Sequence, residues 1–123
     1  MTTDSCATVF HVSNLDKSLA FYTEVLGLKK MFQYGAYAGL EMGHLLIFLS
    51  GPNQGGLKRA VGQGQIYAFC DEVDEYFQEV KAKGADIIDE PEDRPYDMRD
   101  FAIRDLDGNI LTFGKGLQHE TQA

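Results

Sequence analysis

Few kinds of side chain in this sequence could carry chemistry. The 123 residues include three histidines and two cysteines among 19 carboxylates. Histidine nitrogen and carboxylate oxygen at about 2 Å would build a metal site. A cysteine beside a histidine would build a nucleophile. His119 falls in a polar tail, and His44 sits in a turn and reads as a solvated residue. His11 lies on a strand. Cys6 precedes that strand, Cys70 points to the helix side of a later one, and neither has an evident histidine partner. There is no Gly-x-Ser-x-Gly, phosphate loop or nucleotide fingerprint.

The elements that must position these residues follow from periodicity. Ala7 to Val12 reads as a β-branched and aromatic strand, with Ala7, Val9 and His11 on one face. Asn14 caps a helix whose face is Leu15, Ser18, Leu19, Tyr22, Val25 and Leu26, and Gly27 stops it. Strands follow at 29–34, 37–41 and 45–50, and residues 51–64 form a glycine-rich linker. Gln65 to Cys70 restarts the pattern. A helix with Val73, Tyr76, Phe77 and Val80 inward follows, ended by Gly84. Ala85 to Ile88 is a short strand and Asp89 to Asp93 an acidic loop. A hairpin over 99–113 closes the chain, turning at Asp107-Gly108-Asn109, where positive φ is tolerated.

The order repeats. At an offset of 58, Ala7 falls on Gln65, Leu15 on Val73, Leu19 on Phe77 and Tyr22 on Val80. At an offset of 64, Leu46 falls on Ile110 and Phe48 on Thr112. The expected fold is therefore α+β, a single domain of two modules at about 7–50 and 65–115, with a polar tail over 116–123.

Two stretches resemble a known family. Residues 11–28, His-Val-x-Asn-Leu-x-x-Ser-Leu-x-Phe-Tyr-x-x-Val-Leu-Gly-Leu, are similar to the opening strand and helix of the glyoxalase/bleomycin-resistance/extradiol-dioxygenase superfamily, the vicinal oxygen chelate fold. Residues 99–109, Arg-x-Phe-x-x-x-Asp-x-Asp-Gly-Asn, resemble its closing hairpin, and Tyr96 ahead of Arg99 brings the match nearest the bleomycin-resistance branch. The resemblance implies two βαβββ modules forming a curved mixed sheet with helices on its outer face. It also implies a homodimer with ligand sites in clefts between modules.

The resemblance further implies four metal-ligand positions, here Ala7, Phe48, Gln65 and Thr112. Ala and Phe offer no ligand atom, and Gln and Thr are weak neutral ones, so no metal or other cofactor is expected. The implied function is sequestration of a small aromatic molecule, as in antibiotic resistance, with no bond made or broken. The rival is a metal-dependent or cryptic glyoxalase-like lyase, isomerase or dioxygenase. The implied inward residues are His11, Phe48, Gln65, Tyr67, Phe69, Asp100 and Thr112, with Tyr96, Met98 and Arg99 at the mouth. His11 stands where glyoxalases place a substrate-binding Arg. Plain core packing is the competing reading of Phe48, Tyr67 and Phe69, and an ion pair to Asp97 or a nearby carboxylate that of Arg99.

Net charge is −8: residues 71–107, with 14 acidic and 5 basic side chains, sum to −9, and the rest of the chain to +1. This argues against nucleic acid, whose phosphates need a basic face. A solvated face is the simpler reading, and a cationic ligand is compatible with it. No apolar run approaches the roughly 20 residues of a membrane span. The N-terminus lacks the pattern of a signal peptide. Two cysteines make no disulfide framework, so the expected location is cytoplasmic.

Overall fold

A computed structural model describes residues 1–55 and 59–117. Linker positions 56–58 and tail positions 118–123, His119 among them, lie outside the described residues. The order is β1 (Thr8–His11), α1 (Leu15–Ala20) continuing into a π-helical turn (Phe21–Val25), β2 (Lys29–Tyr34), β3 (Tyr37–Met42) and β4 (Leu45–Ser50). It then repeats as β5 (Gln65–Phe69), α2 (Val73–Ala82), β6 (Asp86–Asp93), β7 (Met98–Arg104) and β8 (Ile110–Gly116). Each half is a four-stranded mixed sheet, ordered β1-β4-β3-β2 and β5-β8-β7-β6.

Both repeat offsets hold in the ladders. Val9 pairs with Phe48 in the first sheet, and Tyr67 with Thr112 in the second. One face of each sheet packs on its helix. Phe10, Leu40, Ile47 and Leu49 do so in the first module, and Phe101, Ile103, Leu111 and Phe113 in the second, all essentially without solvent exposure. Burying each of these large side chains contributes about 1.5–3 kcal/mol.

Two elements differ from the sequence reading. The first helix widens into a π turn, with Leu26 N–H donating to the Phe21 carbonyl at 3.2 Å. The extra residue per turn brings Phe21 inward beside Tyr22, edge to face at 5.6 Å. The acidic stretch 89–93 is not a loop but the second half of β6. As an edge strand it presents its charges to solvent and tolerates Pro91, and two register shifts accommodate them.

The two modules are joined through a buried carboxylate. Asp105, in the β7–β8 turn, accepts hydrogen bonds from Tyr22 Oη at 2.8 Å and Asn109 Nδ2 at 2.9 Å. It also accepts from the backbone N–H groups of Asp107 and Asn109, both at 2.9 Å. Asn109 Oδ1 in turn accepts from Gly64 N–H at 2.8 Å, and Asp107 from Ser13 N–H at 3.1 Å. Burial, and then the Asp105 charge, push the Tyr22 hydroxyl well above its ordinary pKa, so it stays a donor. Asp105→Ala leaves several buried donors unpaired and is expected to cost more than about 3 kcal/mol in chemical denaturation. Tyr22→Phe is expected to cost about 1–2 kcal/mol.

Candidate functional site

The sheet faces opposite the helices are open. Phe69 is 80%, Tyr34 75% and Val9 41% exposed. Strand alternation puts the residues expected to face inward on these open faces. In the first module Phe48 stands edge-on to Phe32 at 5.2 Å and to Tyr37 at 5.9 Å, with Tyr34 beside Phe32 at 5.5 Å. Gly39 makes this wall possible, because a Cβ there would collide with the Phe32 ring. His11 lies on the same face of β1 but is buried, and its Nδ1 has no hydrogen-bond partner among the described residues.

In the second module the polar groups converge on one carboxylate. Asp100 is only 3% exposed. Its Oδ2 accepts from Tyr67 Oη at 2.9 Å and Tyr96 Oη at 2.6 Å, and its Oδ1 from Arg94 Nε at 2.8 Å. Arg94 also reaches Glu92 at 2.7 Å and Asp89 at 3.4 Å. Gly114 lets the Tyr67 hydroxyl approach, since a Cβ would strike it. Phe69 flanks Tyr67 at 5.2 Å. Burial pushes the Asp100 carboxyl up. The bonds from Tyr96, Arg94 and Tyr67 and the Arg94 charge outweigh this and hold it below the usual range. Burial, then the bond to Asp100, holds the Tyr67 hydroxyl above its ordinary value.

Tyr67, Phe69, Tyr96 and Asp100 thus form one cluster. Phe48 belongs to a separate aromatic wall, and among the described residues no ring contact joins the two. Gln65 opposes Ile110 at the start of β5, Thr112 opposes Tyr67, and Met98, half-buried, opposes Gly116. Arg99 pairs with Asp74 at 3.1 Å and Asp93 at 3.0 Å, a partly exposed structural ion pair. Sequence reasoning missed Arg94, the cation that balances Asp100. Its signal was the Arg94-Pro95-Tyr96-Asp97 turn, where Asp97 takes φ 61°. Cys6 and Cys70, read as lacking a histidine partner, and His44, read as a solvated turn residue, all border one cavity.

The residues at the positions expected for metal ligands do not fit a metal ion. Ala7 has no donor atom, and the Phe48 ring fills its position against Phe32 and Tyr37. Among the described residues no three His, Cys, Asp or Glu side chains cluster as a metal site. No helix among them is long and apolar enough to cross a membrane.

A family model described as Glyoxalase/Bleomycin resistance protein/Dioxygenase superfamily matches residues 6–113. An integron cassette protein from V. cholerae is similar in structure, at 24% identity and TM-score 0.76, covering 94% of this chain and 96% of its own. A virulence protein from Salmonella typhimurium aligns at 22% identity and TM-score 0.77, covering 95% and 100%. Lactoylglutathione lyase from Agrobacterium tumefaciens aligns at 24% identity and TM-score 0.76, covering 94% and 96%. These likenesses are ones of fold. No curated protein matches the chain significantly.

The Asp100 cluster makes a pH prediction. A depressed folded pKa gives stability that is full above the unfolded value of about 3.9 and lost as pH falls through the folded one. Asp100→Asn should therefore be less stable than wild type by about 1–3 kcal/mol at pH 7. The gap should narrow below about pH 4 in urea titrations across pH. A gap that stays constant down to acid would show that the carboxylate charge contributes nothing.

Proposed function

The chain belongs to the glyoxalase/bleomycin resistance/dioxygenase superfamily, and we propose that it binds a small planar molecule on its open sheet faces, without a metal and without making or breaking a bond. The observation that carries this reading is the half-buried aromatic wall of Phe32, Tyr37 and Phe48, whose ring fills a position where the enzyme branches need a metal ligand. Aromatic stacking contributes about 0.5–1.5 kcal/mol per pair beyond area burial. Two such contacts with burial of a drug-sized face suffice for micromolar binding, about −8 kcal/mol. On the second module, Phe69 and Tyr67 supply a further aromatic surface, and Tyr96 a hydroxyl held by Asp100. The acidic β6 edge favours a cationic ligand by steering, which salt weakens.

The reading includes a homodimer. The open faces carry Val9, Tyr34, Tyr67 and Phe69 in contact with solvent, and a second copy would cover them and enclose the ligand. Light scattering is expected to give twice 13.7 kDa at micromolar concentration; a monomer there rejects the dimer.

Calorimetric titration with a panel of aromatic antibiotics and metabolites tests the binding itself. A hit is expected to weaken in Phe48→Ala and Tyr67→Ala, and equal binding by both variants would move the site elsewhere. Elemental analysis of protein purified without chelator is expected to find well below one equivalent of Zn, Ni, Mn or Fe. A stoichiometric metal whose removal by EDTA abolishes a lyase or dioxygenase activity would overturn the reading in favour of an enzyme.

A further inference from the structure

The repeat fills two corresponding places differently. In the first module the helix-facing residues Phe10 and Val12 of the β1 region are fully buried. The β7–β8 turn covers this end of the module junction, and its five residues, Asp105 to Asn109, reach Tyr22, Ser13 and Gly64. The corresponding residues of the second module, Ala68 and Cys70, are only half-buried. The β3–β4 turn that approaches them has just two residues, Gly43 and His44. The space the shorter turn leaves is a cavity of about 670 Å3.

Its walls are apolar and come from both modules. Met42 and Leu45 stand on one side, and Ile66, Ala68, Tyr76 and Phe113 on the other. The cavity runs along β5, where Ile66, Ala68 and Cys70 line it from the helix-facing side and Tyr67 and Phe69 of the open face also border it. Three exposed carboxylates, Asp71, Glu72 and Glu79, stand at its rim, and no Lys or Arg is among the lining residues. Small-molecule pockets run from about 300 to 1,000 Å3 with apolar walls and a few placed polar groups.

We propose that this junction cavity, which borders the open sheet face at Tyr67 and Phe69 but lies apart from the Phe48 wall, is a second ligand site that takes an organic amine with an apolar body. The body enters between the β3–β4 turn and β5, and the protonated amine meets the Glu72 and Glu79 carboxylates. An anion of the same shape is disfavoured, because three like charges face it and Lys115, the one cation whose charge reaches Cys70, does not line the cavity.

The probes are 1-naphthylmethylamine and 1-naphthaleneacetic acid, titrated by fluorescence at low salt. The amine is expected to bind at least about tenfold more tightly than the acid, a difference of about 1.4 kcal/mol. Ala68→Leu fills the cavity and should weaken the amine at least about tenfold. The double variant Glu72→Gln, Glu79→Gln changes exposed side chains only and should erase the preference. The amine should also slow alkylation of Cys70 by iodoacetamide, followed by mass spectrometry, which keeps the test decisive if Ala68→Leu fails to fold. Equal binding of amine and acid, or an amine that leaves Cys70 alkylation unchanged, overturns the proposal. Binding lost in Phe48→Ala and kept in Ala68→Leu places the amine on the open face, so this site falls while the proposed function stands. Cys70 already protected without amine, where light scattering reports a dimer, means a second copy fills the cavity and likewise overturns it.

Discussion

The structure depends most on a carboxylate hidden from water. Asp105 gathers the Tyr22 hydroxyl, the Asn109 amide and two backbone N–H groups. An ionised group removed from solvent is costly unless its hydrogen-bonding capacity is filled, and here four donors fill it. Because Tyr22 belongs to the first module and Asp105 to the second, the requirement to satisfy one charge fixes how the modules meet. The closing-hairpin motif is therefore a joint as well as a turn. Asp107 and Asn109 extend it to Ser13 and Gly64.

Duplication makes the two halves comparable, and their differences are where chemistry can enter. One open face is built of hydrocarbon rings around Phe48. The other is built of phenols and an arginine around Asp100. Both rest on the same ladder register, so one scaffold carries two unlike surfaces. The metal-binding branches of the superfamily place donors on such a scaffold. Here the positions that the sequence resemblance assigns to such donors hold the donor-free Ala7 and the packed ring of Phe48.

Much of the architecture was legible in the sequence because it rests on local rules. The alternation of Tyr67 and Phe69, the Asp-Gly turn and the two repeat offsets all reflect strand and turn geometry, and the ladders follow them. The π turn was not legible, since one inserted residue shifts Phe21 inward without changing composition. Nor was the strand character of 89–93, where the acidic side chains suit an edge exposed to water. The role of Arg94 depends on a turn in which Asp97 adopts positive φ, and on Asp100 six residues on. The Tyr22–Asp105 bond spans 83 residues, and no spacing rule reaches that far. The junction cavity arises from a difference in turn length that matters only once the modules are packed.

The glycines at 39 and 114 have an effect beyond making room. Each seats a ring, Phe32 over Gly39 and the Tyr67 phenol over Gly114. A ring lying on backbone has few rotamers left to explore, so its conformational entropy is spent during folding, before any ligand arrives. Ordering a rotamer-rich side chain at the moment of association costs about 0.5–1.5 kcal/mol. Rings already held in place avoid much of that cost. The aromatic surfaces of this protein are thus pre-organised by residues that lie beneath them and carry no ring of their own.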